Sequence, residues 1–223
     1  MGDTLPRIVV LVSGGGTNLQ ALIDAASSDG LGGSIVAVIS NKPAVGGLDR
    51  AARAGIETAV VNHRDYTERA LFDDALRETI DQYTPDLVVL AGFMRILTDG
   101  FVRHYRGRML NIHPSLLPAY PGLHTHRRAL EAGDPEHGAT VHFVTEELDG
   151  GPAVLQGRVP VLSTDTPETL AERVLAQEHR IYPRTVRWFC QGRLKLTGAG
   201  AELDGVLLET PKDIDSDAPE SGV

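Results

Sequence analysis

The run Ile8-Val9-Val10-Leu11-Val12-Ser13-Gly14-Gly15-Gly16-Thr17-Asn18 passes from one kind of local order to another within a few residues. Five consecutive apolar residues, most of them β-branched, do not alternate inside and outside. They suit a strand covered on both faces, as in a parallel sheet. Ser13 and three glycines end the run, and residues 17–26 then carry the spacing of an amphipathic helix. Backbone N–H groups at a helix N-terminus, reached through residues without side chains, form a natural phosphate site. A tight strand-to-helix turn with no ligand accounts for the glycines equally well. There is no Gly-Lys-Ser/Thr, so this is not a Walker loop, and the third glycine of the dinucleotide fingerprint is missing. Ser40-Asn41-Lys42 offers no acid where a nicotinamide dinucleotide site wants one. As a binding loop, it suits a phosphomonoester.

Outward from this run the two patterns alternate. Residues 35–39, 58–61 and 87–90 read as buried strands, and 48–54 and 66–82 as amphipathic helices. Strand and helix in this cadence predict a doubly wound, mostly parallel α/β sheet with helices on both faces. From Arg108 the pattern changes. Residues 109–112 read as a strand, followed by a Pro-rich loop over 113–122. Residues 139–144 and 153–161 read as paired strands joined by the turn Asp149-Gly150-Gly151-Pro152. Thr166 and Pro167 read as the N-cap and first turn of a helix running to Phe189, with an interruption expected at Pro183. The organisation expected is one domain over 1–197 and an acidic extension over 198–223, disordered from about 213.

The chain has 223 residues and a formal net charge of −9. Residues 198–223 hold seven acids and one base, so the rest is close to neutral. Without a basic surplus, nucleic acid is not expected as a partner. The single cysteine, Cys190, excludes an internal disulfide and a multi-cysteine metal cluster. The apolar run at 8–12 is too short for a signal peptide or a membrane span. Pro6 stands where a myristoylation signal wants Ser or Thr. A cytoplasmic protein with no membrane association is expected.

Three further segments carry chemistry. Ala91-Gly92-Phe93-Met94-Arg95-Ile96-Leu97 follows a strand expected to be central, and ligands of open α/β sheets sit beyond strand C-termini. Apolar side chains and free amides there suit a flat heterocycle, although the same residues could simply pack a helix. In Asn111-Ile112-His113-Pro114, residues two apart on a strand point to one side. An amide beside an imidazole suits oxyanion donation and proton transfer. Asp149 could support a charged imidazole, although sequence alone does not bring the two together. His113, His124, His126, His137 and His142 raise a metal site, but no ligand motif accompanies them, so no metal is expected. Ser115 and Cys190 are nucleophiles by residue type only, with no base beside them.

Together these segments resemble the folate-dependent glycinamide ribonucleotide formyltransferases over residues 8–195. The resemblance is carried by residues 12–20, 90–97, 110–118, 120–127, 131–144 and 148–152, and by Gln177-Glu178-His179. It implies a seven-stranded, mostly parallel sheet. It also implies transfer of a formyl group from 10-formyltetrahydrofolate, a co-substrate, to the amine of glycinamide ribonucleotide in de novo purine synthesis. By motif position Asn111, His113 and Asp149 match the family's catalytic trio. Gly16, Thr17 and Asn18 match its phosphate loop, and Glu178 the acid near the substrate amine. Met94, Arg95, Ile96 and Leu97 match one folate loop, and Thr145, Glu146, Glu147, Leu148 and Asp149 a second. Asn111 also falls at the folate, and Arg69 aligns with a folate arginine. Gly15 departs from the Asn that relatives often carry. The partners implied are the two small-molecule substrates, with a homodimer left open. A formyltetrahydrofolate hydrolase would carry an N-terminal regulatory domain, and an initiator-tRNA formyltransferase a basic C-terminal barrel; neither pattern is seen. A metal-dependent hydrolase and a non-catalytic nucleotide-binding module are the readings outside the family.

Overall fold

The apolar run at the N-terminus forms the first strand, β1 (Arg7–Val12), and its alternate residues face two different cores. Ile8, Val10 and Val12 pack on one side, Val9 and Leu11 on the other. In this computed structural model, which describes residues 5–28 and 30–215, helices cover both faces. After β1 come α1 (Thr17–Ser27), β2 (Ser34–Ser40), α2 (Gly46–Arg53), β3 (Glu57–Val60), α3 (Arg69–Asp81) and β4 (Leu87–Leu90). Then follow α4 (Asp99–His104), β5 (Met109–His113), α5 (Thr125–Ala132), β6 (Glu136–Phe143), β7 (Ala153–Pro160) and α6 (Pro167–Cys190). The described chain closes with β8 (Leu194–Leu196), β9 (Ala201–Leu203), β10 (Val206–Leu207) and β11 (Lys212–Asp213).

The main sheet has the order β11-β7-β6-β5-β4-β1-β2-β3. β3, β2, β1, β4 and β5 run parallel, while β6 pairs antiparallel with both β5 and β7. β1 lies between β2 and β4, so successive crossovers leave it in opposite directions and open a crevice at the strand C-termini. The loops after β1 and β4 and the end of β5 all reach this crevice.

The expected seven strands become eight, because β11 adds in parallel to the edge strand β7. The stretch expected as an acidic extension is folded as far as Asp215. β8, β9 and β10 form a small antiparallel sheet, and Ile214 is buried in the main core. Three of its acids find bases elsewhere in the chain: Asp204 pairs with Arg193, Asp213 with Arg158 and Asp215 with Arg180. The chain is thus folded at 213–215, where disorder was expected to begin, and the rest of that expectation, 216–223, lies outside the described residues.

α6 also corrects an expectation, since it runs through Pro183 without a break. A proline in a helix costs about 3 kcal/mol. Against that, Val174, Ile181, Tyr182, Val186 and Trp188 are all buried along the helix. The helix starts as expected: Thr166 accepts from the Thr169 amide and Thr169 Oγ1 accepts from the Thr166 amide. Trp188 is fully buried, with the guanidinium groups of Arg184 and Arg193 over its ring. The Tyr182 hydroxyl donates towards the carbonyls of Leu90 and Leu110, at 2.8 and 3.1 Å. It thereby fixes α6 to the C-terminal end of β4 and to the neighbouring strand β5. Tyr182→Phe removes this buried donor and is expected to cost about 1–2 kcal/mol in urea unfolding; an unchanged midpoint would show that the hydroxyl contributes nothing.

Candidate active site

The glycine loop is braced from behind by α2. Gly16, at φ 73°, is the N-cap of α1, and a Cβ there would lie 2.6 Å from the Gly47 Cα. Glycine at both positions lets the helix approach this closely. The Gly47 amide donates to the Gly14 carbonyl at 3.0 Å, and Arg50 Nε donates to the Gly15 carbonyl at 2.8 Å. The start of α1 leaves main-chain amides without intrahelical partners, the feature on which the expected anion site depends. A Cβ at Gly15 would meet nothing within 4 Å, so an Asn there or a Gly leaves the loop backbone unaffected. Beside the loop lies a cavity of about 390 Å³ lined by Thr17, Gln20, Ala21, Asp24, Arg50 and His179. Burial, and then the Arg50 charge, lower the His179 pKa, and its Nε2 is buried without a partner.

Ser13 joins this loop to the one after β4. Its Oγ accepts from the Met94 amide at 2.8 Å and donates to Asn41 Oδ1 at 2.6 Å. Phe93 is buried and anchors the β4 loop, whereas Met94 and Ile96 are 65% and 55% exposed. Arg95 and Leu97 are half-buried, and the Arg95 guanidinium lies 4.8 Å over the Phe72 ring of α3. Arg69 begins α3, exposed, one turn before Phe72. Across the crevice, Thr145 is half-buried and Glu146, Glu147 and Leu148 are exposed; that loop turns back at Asp149, whose φ is 52°.

Asn111, His113 and Asp149 meet through a fourth residue. Asp149 Oδ2 accepts from the Gly122 amide at 2.8 Å and lies 3.4 Å from His113 Nδ1. Both side chains are less than one-tenth exposed. His113 Nε2 lies 2.9 Å from the Tyr120 carbonyl oxygen, which can only accept. That nitrogen therefore carries a proton, and Nδ1, facing the carboxylate, is the one that can gain or lose a proton. The same logic orients Asn111. His142 Nδ1 lies 2.9 Å from the Phe143 carbonyl and must donate, so its Nε2 accepts from Asn111 Nδ2 at 3.1 Å. One N–H of that amide is used, and the other has no partner among the described residues. Burial lowers the His142 pKa and keeps the ring in the neutral form this bond requires.

Sequence reasoning placed His142 only among possible metal ligands. Its role follows from the β5–β6 register, which sets Asn111 opposite His142. Cross-strand register over 31 residues is not legible from local pattern. Arg50 and His179 were likewise not singled out as site residues. Asn18 and Glu178, expected at one ligand, are in direct contact: Asn18 Nδ2 donates to Glu178 Oε2 at 2.6 Å. Ser115 donates to the Ala119 carbonyl, and burial pushes the Cys190 thiol up to about 12; neither is poised as a nucleophile.

An imidazole–carboxylate pair and a side-chain amide thus gather at a strand-order switch, where open α/β sheets bind their ligands. Residues 6–186 match the family model described as formyl transferase, and the chain belongs to that family. It is 57% identical over 202 residues to the phosphoribosylglycinamide formyltransferase of Escherichia coli K12, covering 91% of this chain and 95% of that protein. It is 51% identical over 190 residues to the Bos taurus trifunctional purine biosynthetic protein adenosine-3, covering 85% of this chain and 19% of that longer protein. Among solved structures, the phosphoribosylglycinamide formyltransferase of Coxiella burnetii superposes with a TM-score of 0.89 at 51% identity, covering 95% of this chain and 99% of the other. Glycinamide ribonucleotide transformylase 1 of Symbiobacterium toebii gives 0.87 at 47% identity, covering 91% and 95%.

Behind the site His126 and His137 pack edge to face, ring centroids 5.2 Å apart. Burial lowers both, with the neighbouring imidazoles adding to the effect, and His137 falls to about 4. An unfolded histidine takes up a proton near pH 6.5, whereas the folded His137 does not until about 4. Its contribution is therefore intact above pH 6.5 and is lost progressively as the pH falls towards 4. Urea unfolding at pH 7, 5.5 and 4.5 should show declining stability, with a shallower decline in His137→Gln; equal slopes would refute this assignment.

Proposed function

We propose that this chain transfers the formyl group of 10-formyltetrahydrofolate to the amine of glycinamide ribonucleotide, giving formylglycinamide ribonucleotide and tetrahydrofolate in de novo purine synthesis. The observation that carries the reading is the convergence of Asn111, His113 and Asp149, with an exposed apolar lip at Met94 and Ile96 in the loop after β4. In this reading Gly16, Thr17, Asn18 and Glu178 serve the ribonucleotide. Arg69, Met94, Arg95, Ile96, Leu97, Asn111, Thr145, Glu146, Glu147, Leu148 and Asp149 serve the folate. We also infer a cytoplasmic location from this activity, whose substrates are water-soluble metabolites.

The substrate amine attacks the formyl carbon; a C–N bond forms and the carbonyl electron pair moves to oxygen. The free N–H of Asn111 and the protonated His113 Nδ1 supply donors for that oxyanion. Collapse breaks the bond to the folate nitrogen, and a proton passes from the attacking ammonium to the leaving nitrogen, with His113 Nδ1 as the exchange point. Asp149 Oδ2, 3.4 Å from Nδ1, holds the ring in place from the other side. The Tyr120 carbonyl keeps Nε2 out of the exchange.

Loss of an oxyanion donor costs on the order of 10²–10³ in rate, and loss of acid–base assistance about 10²–10⁴. His113→Ala and Asp149→Asn are expected to lower kcat by such factors while unfolding like the parent protein. The assay follows folate product with and without the ribonucleotide. Turnover without ribonucleotide makes the chain a hydrolase, and near-normal turnover in either variant removes the assigned roles.

A further inference from the structure

Asn18 lies in the stretch expected to hold phosphate, yet its side chain is 8% exposed and turns away from the loop towards α6. Nδ2 donates to Glu178 Oε2 at 2.6 Å, across 160 residues of chain. Among the described residues this is the carboxylate's one hydrogen bond. Glu178 is itself buried, 8% exposed, and burial raises its pKa while the Asn18 bond opposes the rise. The remaining polar atom of Asn18, Oδ1, is buried with no partner. That atom accepts and cannot donate, so it has nothing to offer a phosphate oxygen, and the side chain's one donor atom, Nδ2, is held at Glu178 by one of its two N–H groups.

We infer that Asn18 is a positioning residue whose side chain acts through Glu178. Its amide holds Oε2, which fixes the carboxylate plane and leaves Oε1 as an oriented acceptor. Asn18 Oδ1 and Glu178 Oε1 are then two acceptors on adjoining residues, suited to a group rich in N–H or O–H such as the amine end or the ribose diol of the substrate. Phosphate recognition rests on the backbone amides at the start of α1. Asn18 thus ties the anion loop to the carboxylate on α6, so the two ends of one substrate are read by parts held in fixed relation. This inference rests on the proposed ribonucleotide substrate.

A double-mutant cycle tests it. The parent protein, Asn18→Ala, Glu178→Gln and the double variant are compared by kcat/KM for glycinamide ribonucleotide and for the riboside lacking phosphate, with thermal melts as the folding control. Asn18→Ala is expected to lower kcat/KM about tenfold, chiefly through KM, and by a similar factor for both acceptors. In the Glu178→Gln background the same change adds less than about twofold, because the partner it positions is already altered. Asn18→Ser, which keeps a short donor, falls between Ala and the parent. If the two losses multiply, or the Asn18 loss is confined to the phosphorylated acceptor, Asn18 acts on the phosphate and the inference is overturned. Failure of the parent protein to formylate the ribonucleotide overturns the substrate reading and this inference with it; turnover by the parent with multiplying losses overturns this inference alone.

Discussion

Placing β1 between β2 and β4 is the constraint from which the rest of the molecule follows. Successive crossovers must leave that strand in opposite directions, and no loop can close over the gap between them. The chain fills the rim of the gap with three unlike pieces. A glycine loop ends on helix amides, an apolar loop follows β4, and the Asn111–His113 strand end lies beside it. Ser13 holds the first two together through the Met94 amide. Tyr182, beneath, holds the last two through the carbonyls of Leu90 and Leu110. Each tie uses a buried side chain.

Within the site, direction comes from backbone carbonyls. A carbonyl oxygen accepts only, so Tyr120 and Phe143 each decide which nitrogen of the adjacent imidazole bears hydrogen. The consequence passes from His142 to the Asn111 amide and from His113 to the Asp149 carboxylate. Asp149 is fixed in turn by the Gly122 amide, in a loop where Tyr120, Gly122 and His124 all adopt positive φ. Such geometry in non-glycine residues costs about 1–3 kcal/mol each and persists only when its surroundings hold it. Arg128, bonded to the Pro121 carbonyl at 2.6 Å and set over the Tyr120 ring, is part of that support.

β1, β2 and β4 and α1, α2 and α3 were legible because uninterrupted apolar runs mark doubly covered strands and amphipathic spacing marks the helices between them. β3, also expected to be buried, is instead the exposed edge of the sheet, with Val60 45% exposed. α4 and α5, of six and eight residues, are too short for periodicity to show. The C-terminal strands were hidden for another reason. Acidic composition reads as solvated chain until Arg158, Arg180 and Arg193, which supply the opposite charge, are brought alongside. The candidate site divides in the same way. Asn111 and His113 share a strand face and could be paired by their spacing. The approach of Asp149 and His142 depends on a register and a reversed loop, and the Asn18–Glu178 contact on how α1 packs against α6. Motif resemblance pointed to Asp149 and Glu178 but not to the contacts that orient them.

The chain has one tryptophan, and the fold seats it late on α6, between two guanidinium groups and out of water. Ten residues of helix, roughly 15 Å of rise, separate Trp188 from Glu178. Intrinsic fluorescence therefore comes from a single position, remote from the crevice and adjoining the β8–β10 sheet. A red shift in that emission reports water reaching the C-terminal end of α6, and a ligand in the crevice can be added without contributing a contact to the fluorophore.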